Sequence, residues 1–543
     1  MPDSHTLDAL KAHAKQLLTL ARAHDNTVIT ALRKLLPILD NNSDSDFAAN
    51  IKLADVQHAI AAQRGMKSWA ELKRKIESVD PLQVQAERFL HAIREDNKTS
   101  AVELLSAHPA IAQYSIHAAA AACDAETVEA FLLRDTTLAY SLASPNWAQP
   151  VLYACGTPLH DLNGDKTIGN KRCVQLILDA GGDPNAFVVF NGTEGEAPIP
   201  ALYFAANLNN VSAVRLLLER GANPNDGESV YHAAERNNRE SLELLLAYGA
   251  EISEAHERWG NTPLYFIAGH KPFSQWCASS ELGMLWLLQH GANPDITSYN
   301  GEKNAQLPSR GEAPLHRIAS YGKSADVSRM LVEHGATVDL KRGDGKTAYV
   351  LAVRTGNSAV AEYLASVGAD ITALTERDAL VGACLLGDAA RANELLVANP
   401  KLMSTLNAED RQTLALATEE GRIESVRLMT SLGWDLSAEG AWGGTALHHA
   451  AWHGNAEMAE LLVKLGAPIN FRDTTFGSSP IAWAAHGSVN SRPGHDDDYK
   501  AVVDILLQAG ATREASYNTW NEAPEQLSSK PVAALLKKRG FSG

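Results

Sequence analysis

One phrase, Leu-Leu-x-x-Gly-Ala followed by Asn or Asp and then Pro or an aliphatic residue, recurs through most of this 543-residue chain and fixes what it can fold into. It stands as LILDAGGDPN at 176–185, LLLERGANPN at 216–225 and WLLQHGANPD at 286–295, and continues in looser form to LLQAGAT at 506–512. Its glycines are Gly181, Gly221, Gly249, Gly291, Gly335, Gly368, Gly433, Gly466 and Gly510, with a basic spacing near 33 residues and longer intervals at insertions. Self-similarity at such a period marks stacked supersecondary units. Gly368 and Gly433 stand 65 apart, and Asn399 fills the missing place between them. Asn tolerates the left-handed backbone that a helix end wants. His108 and Asp135 fill the same place in two earlier units, giving twelve units between about 82 and 514.

Each unit also has an upstream half, clearest as TPLYFIAG at 262–269, APLHRIASYG at 313–322, TALHHAAWHG at 445–454 and SPIAWAAHG at 479–487. Thr caps the first orphan amides, Pro is tolerated at the first helical position, and paired small residues let a short helix pack closely. A second, Leu-rich helix then runs to the glycine. Such a unit cannot bury its own apolar face, so units must stack.

These phrases resemble the ankyrin repeat family over roughly 430 residues. The resemblance implies an all-α solenoid of about twelve helix–turn–helix units with β-hairpin fingers. The expected organisation is an N-terminal helical module at 1–80, divergent repeats at 81–148, an array with insertions at 149–514, and a capping helix and tail at 515–543. The string Gly156-Thr157-Pro158-Leu159-His160 looks like a repeat start but is misplaced. QPVLYAC at 149–155 fits that role, leaving an insertion at roughly 156–170. Further insertions are expected at 269–281 and 487–498, and a lengthened finger at 296–311.

Outside the array, Leu7, Leu10, Ala14, Leu17 and Leu18 have helical spacing, and 53–77 reads as two helices with a turn at Gly65 and a cap at Ser68. The polar stretch DNNSDSD at 40–46 separates them. The stretch is similar to short modules at the N-termini of bacterial ankyrin-array proteins, which implies a bacterial source. A DNA-binding helix-turn-helix is the competing reading, with Gln57, Ala61 and Gly65 suitably spaced. Against it, Glu71 stands where an apolar residue belongs, and Trp69 and Leu72 look buried. The tail 525–540 has an amphipathic pattern with basic residues in its last turn, as a terminal cap requires.

Charge narrows the partners. The chain carries −16, with +1 on residues 1–80 and +3 from Glu525 onward, so the middle carries −20. Phosphate binding draws on Lys and Arg, so nucleic acid is excluded for the array and left open only for 1–80. The array points instead to a neutral or basic protein. No run of eighteen apolar residues or signal-peptide pattern is visible, so no membrane association is expected and the expected location is cytoplasmic. The five cysteines, Cys123, Cys155, Cys173, Cys277 and Cys384, lack metal-ligand or redox spacing and read as core residues of a reducing compartment.

Nothing in the sequence supports catalysis, a cofactor or a metal. Gly345-Lys346-Thr347 resembles the end of a phosphate loop but coincides with a repeat boundary, where a finger turn belongs. His449 and His453 share a helix face without a third ligand. The loop RPGHDDDYK at 492–500 reads as a solvated insertion in which Asp498 caps the next helix. The expected function is a non-enzymatic protein–protein interaction scaffold. The competing readings are a partner-sensing regulator whose N-terminal module binds DNA, and a secreted bacterial effector.

The family's partners usually meet the concave side, built from finger tips and the two positions after the paired small residues. Carried onto this chain, that implies His270, Tyr321, Arg354, Glu419, Glu420, Trp452 and His453, with Trp259, Trp442 and Phe476 at the finger position before a leading glycine. Large rings at projecting sites suit an interaction surface. Tyr153, Phe204, Phe266 and Trp483 fall one step earlier in the helix, where the family places core.

Overall fold

The nine turn glycines all adopt the same left-handed backbone, with φ between 89° and 96° from Gly181 to Gly510. A Cβ at any of them would meet nothing within 4 Å, so conformation and not space demands glycine there. At each, the second helix of a pair stops and the chain turns toward the next pair.

A computed structural model describes residues 7–22, 26–36, 47–48, 51–77, 81–143, 148–192, 195–256, 259–270, 277–298, 310–492 and 494–541. The DNNSDSD stretch, residues 271–276 of one insertion and 299–309 of the lengthened finger lie outside them. The chain forms two compact units, 1–229 and 230–543. It is mostly α-helical, and the α-helices from Pro81 to Gln508 follow one another as twelve pairs, with the one-turn helix Ala408–Arg411 as an extra element.

In the first unit, helices Leu7–Arg22, Asn26–Leu35, Leu53–Gln63 and Trp69–Glu77 enclose Leu10, Ala14, Ile29, Phe47, Ile60 and Leu72 in a cluster of their own, with Trp69 against its edge. Ser68 Oγ accepts from the Glu71 amide at 3.2 Å, and the Glu71 carboxylate accepts from the Lys67 amide at 2.7 Å. Glu71 thus takes part in the cap at the start of this helix, which explains a charge where a recognition motif wants an apolar residue. Further on, QPVLYAC does supply a first helix, Pro150–Cys155, and the second starts at Gly164, so half of the presumed insertion is helical.

In the second unit, successive first helices pack side by side, Ala348–Arg354 against Pro314–Ser320 and Pro480–Asn490 against Ala446–Trp452. Two polar devices join neighbours. His316 accepts the Ala313 amide on Nδ1 and donates from Nε2 to the Leu340 carbonyl at 2.8 Å. His448 repeats this with the Thr445 amide and the Ser478 carbonyl at 3.0 Å. The Asn or Asp after the glycine phrase forms the second device: Asn470 donates to the Gly510 carbonyl and accepts from the Thr512 amide, and Asp295 accepts from the Thr337 amide. The histidines thereby satisfy buried or half-buried carbonyls of the following unit, and the Asn and Asp satisfy exposed peptide groups there.

Three expectations about local structure need correction. Asn399, His108 and Asp135 are not left-handed; their φ values are −137°, −135° and −156°. Without glycine, the chain leaves each helix extended and tightens into a 3-10 turn, Leu402–Thr405, Pro109–Gln113 and Thr136–Tyr140. Asp498 is not a cap, because His495 is the N-cap residue and Asp498 sits within the first turn, 3.2 Å from Arg492. The fingers are turns for the most part. Among the described residues one forms a β-hairpin, Phe187–Gly192 with Gly195–Pro200, and another holds a single bridge between Glu439 and Thr445. Cys123, Cys155, Cys173 and Cys384 are free and buried, and burial pushes the Cys123 thiol up to about 11.

Candidate functional site

Three finger tips of the second unit carry three aromatic rings into one row. At each tip an aromatic residue precedes a left-handed one: Trp442 before Gly443 (φ 69°), Phe476 before Gly477 (φ 62°), Trp520 before Asn521 (φ 60°). Trp442 is left-handed itself at φ 58°, a conformation that bulky side chains rarely adopt and that persists where surrounding structure enforces it. The Trp442 ring lies nearly parallel to Phe476 at 6.2 Å, and Phe476 lies 6.4 Å from Trp520. Trp442 and Trp520 are 62% and 67% exposed, while Phe476 is half-buried.

The middle finger explains the row's rigidity. Asp473 is buried and accepts from the amides of Thr475, Phe476 and Ser478 and from Trp483 Nε1 at 2.9 Å. The Thr519 amide donates to the Phe476 carbonyl at 2.8 Å, and Arg472 donates to the carbonyls of Gly477 and Tyr517. On the other side the Thr474 hydroxyl donates to Glu439 at 2.9 Å. Three consecutive fingers are thus tied by side chains and one backbone hydrogen bond, not by a continuous sheet.

Beneath the row sits Trp483, buried as expected for core, with its ring 6.2 Å from Phe476 and 6.1 Å from Trp452. Half-buried Trp452 also meets His486, whose pKa burial lowers while Glu522 pulls it back up. His453 is half-buried, with Arg492 donating to its carbonyl at 3.3 Å. The structure therefore brings Trp442, Phe476, Trp452 and His453 into one neighbourhood. Trp520 was missed by sequence reasoning. The available signal was Asn521, which takes the left-handed place that glycine holds in the other fingers.

The remaining candidates lie apart. Trp259 is half-buried at an earlier finger. Tyr321 is 37% exposed, with the Arg317 guanidinium 5.2 Å from its ring. Glu419 is half-buried, and exposed Glu420 pairs with Arg422 at 2.6 Å. His270 sits between Glu235 Oε1 at 3.2 Å and Ser280 Oγ at 2.9 Å. That order resembles a hydrolytic relay, but Ser280 is wholly buried and cannot reach a substrate. Burial lowers the His270 pKa and the Glu235 charge opposes it.

Arg354 is corrected outright. It is 6% exposed, with Nη1 2.6 Å from Asp378 and Nη2 2.8 Å from Asp410, so it braces three helices and presents nothing to a partner. It forms one wall of a cavity of about 300 Å³ whose lining also includes Arg342, Gln412, Glu419 and His449. Lys346 of the phosphate-loop look-alike is spent on Asp344 at 2.6 Å. Among the described residues, no group of three His, Cys, Asp or Glu converges as a metal site, and no helix is long and apolar enough to cross a membrane.

The family model for ankyrin repeats in three copies matches residues 165–256, 275–375, 380–473 and 414–514. The chain belongs to the ankyrin repeat family. Protein glp-1 of Caenorhabditis elegans is 30% identical over 230 residues, covering 38% of this chain and 18% of that protein. The human SH3 and multiple ankyrin repeat domains protein 2 is 28% identical over 170 residues, 30% of this chain and 9% of that protein. The chain therefore matches only a minor part of either relative. Both are eukaryotic, which lends nothing to the bacterial source implied by the N-terminal resemblance. A crystal structure of the human ASB11 ankyrin repeat domain covers 46% of this chain and 96% of its own, at 21% identity and a TM-score of 0.34. Ankyrin repeats are a general protein-interaction module, and this chain is an ankyrin repeat protein.

Proposed function

We propose that this ankyrin repeat protein is a non-enzymatic scaffold that holds a neutral or basic protein against its first helices and finger tips, the concave side in this family. The row Trp442–Phe476–Trp520 is the observation that carries the reading. Aromatic rings dominate interface hot spots, and contiguous exposed apolar surface marks interaction sites. Trp442 and Trp520 project with more than half of their surface open, on fingers linked to the middle one through Glu439–Thr474 and through Arg472. The net −20 of the middle region supports a neutral or basic partner. In the same reading, residues 1–80 are a helical module that docks or caps, since Trp69 and Leu72 contribute to its own core. Buried free thiols suit a reducing, cytoplasmic setting.

Affinity purification with mass spectrometry from the native organism, run in parallel on wild type and Trp442→Ala/Trp452→Ala, tests the proposal. A specific partner recovered by wild type and lost from the variant supports it. Equal recovery by both contradicts it.

A further inference from the structure

The spacing and charge of the aromatic row specify more than a protein partner, and we infer that it binds an extended, basic segment whose alternate Arg or Lys side chains lie over Trp442, Phe476 and Trp520. The inference rests on the scaffold reading above and adds the chemical class of the bound segment.

Geometry comes first. The rings succeed one another at 6.2 and 6.4 Å. In an extended chain, side chains on one face recur every second residue, about 6.5 Å apart. In a helical segment, residues i, i+4 and i+8 recur about every 6 Å but turn by about 40° at each step, so they leave a common face over three rings. The row thus has the pitch of a strand-like segment laid across consecutive fingers.

Charge then selects the side chains. Carboxylates flank both ends of the row. Glu439 stands beside the first finger and Glu522 two residues beyond Trp520. Glu439 receives a neutral hydroxyl, Thr474, and Glu522 receives the neutral amide of Asn518 at 2.7 Å. Among the described residues, neither has a Lys or Arg within ion-pair distance. Two cations stand at these fingers: Arg513 pairs with Glu525 at 2.8 Å, and Arg472 donates to the carbonyls of Gly477 and Tyr517. Glu522 acts electrostatically on His486, whose ring meets Trp452 at 5.5 Å. Exposed indole rings next to carboxylates attract guanidinium and ammonium groups twice over, through the ring quadrupole and through the ion pair. An acidic segment would meet repulsion at both ends of the row, and a purely apolar one would desolvate the two carboxylates without supplying a countercharge.

The strain at Trp442 is a second, independent sign. A tryptophan at φ 58° whose ring is 62% exposed costs backbone energy and returns little core packing. What the conformation does accomplish is to bring that ring nearly parallel to Phe476, 6.2 Å away.

The test uses the full-length protein and a synthetic seven-residue peptide in which Arg alternates with Ser, titrated by calorimetry at two salt concentrations. Controls are the same peptide with citrulline for arginine, which keeps the planar shape without charge, and with Glu for arginine. The Arg peptide is expected to bind, the citrulline peptide to bind at least about tenfold more weakly, and Trp442→Ala/Trp520→Ala to weaken the Arg peptide about tenfold or more. Glu439→Gln/Glu522→Gln is expected to weaken binding and flatten its salt dependence. Trp442, Trp520 and Glu522 are exposed and Glu439 is half-buried, so a thermal melt checks that each variant stays folded; if the alanine pair does not, the glutamine pair carries the test alone. No binding of the Arg peptide overturns the inference. So does equal binding of the citrulline peptide, or affinity within twofold of wild type in the variants. If the native partner is still lost from Trp442→Ala/Trp452→Ala while the Arg peptide is ignored, the scaffold reading survives and the basic-segment inference falls.

Discussion

Replacing Arg354 with Met should loosen the second unit at a defined place. The Arg354 side chain is 7% exposed and spans from helix Ala348–Arg354 to Asp378 at 2.6 Å and Asp410 at 2.8 Å, carboxylates that are 5% and 1% exposed. Burial opposes its charge, yet the hydrogen bonds to Asp410 and Asp378 hold the guanidinium pKa above its ordinary value. Removing one member of a buried ion network costs about 3–5 kcal/mol, because the partners are left charged and dry. Here some compensation remains. Arg377 stays 3.6 Å from Asp410, the Asn407 amide still donates to it, and the Thr375 hydroxyl still donates to Asp378. That places the expected loss near the lower end, about 3 kcal/mol. Adding Asp378→Leu should recover at least about 1 kcal/mol, since a missing pair is cheaper than a widowed charge. Repeat arrays need not unfold as one, so native-state hydrogen exchange is the assay, with urea unfolding beside it. Protection should fall in Ala348–Arg354, Glu376–Leu386 and Ala408–Arg411 and hold in the pair Ile116–Ala121 and Ala125–Arg134 of the first unit. A change under about 0.5 kcal/mol at those helices, or a loss spread evenly over the chain, would refute the reasoning.

Other predictions follow from single contacts. Burial, against a hydrogen bond to the Ser478 carbonyl, lowers the His448 pKa to about 4. The unfolded chain therefore binds the extra proton first, and stability present above pH 6.5 is lost as pH falls from 6.5 to 4, by up to about 3 kcal/mol. Urea midpoints at pH 7 and pH 5 should show the loss, and His448→Gln should reduce it. Burial would raise the Asp344 carboxyl, but hydrogen bonds from Arg342 and Lys346 outweigh it and hold it at about 2. Its stabilisation is present above about pH 4 and lost toward pH 2, so Asp344→Asn should cost up to about 2 kcal/mol at pH 7 and nothing at pH 2. A Cβ at Gly487 would collide with the Trp452 carbonyl oxygen where Pro480–Asn490 packs on Ala446–Trp452. Gly487→Ala should cost about 1–3 kcal/mol in thermal unfolding.

The stacking architecture was legible because its causes are local and repeated. Glycines at helix ends, Pro at first helical positions and small pairs facing inward each act within a few residues, and Gly181 through Gly510 behave as such residues must. The reading failed where one residue has two physically allowed exits. Asn399 can be left-handed, but it leaves its helix extended because a 3-10 turn follows. The site was only partly legible for a different reason. Exposure at the post-helix positions depends on charges brought from other repeats. Arg354 looks projecting in its own repeat and is buried by Asp378 and Asp410, 24 and 56 residues away. Trp442 and Phe476 were readable from their glycines, whereas Trp520 hid behind Asn521 in the tail. The row itself could not be read at all, since it is a distance between fingers.

Hydrogen exchange of the full-length protein with and without its purified native partner tests the central claim most directly. Binding should slow exchange at the finger tips 441–443, 474–477 and 518–521 and in the first helix Ala446–Trp452. Protection confined to the second helices Ala456–Lys464 and Asp496–Gln508, with the finger tips unchanged, would contradict it.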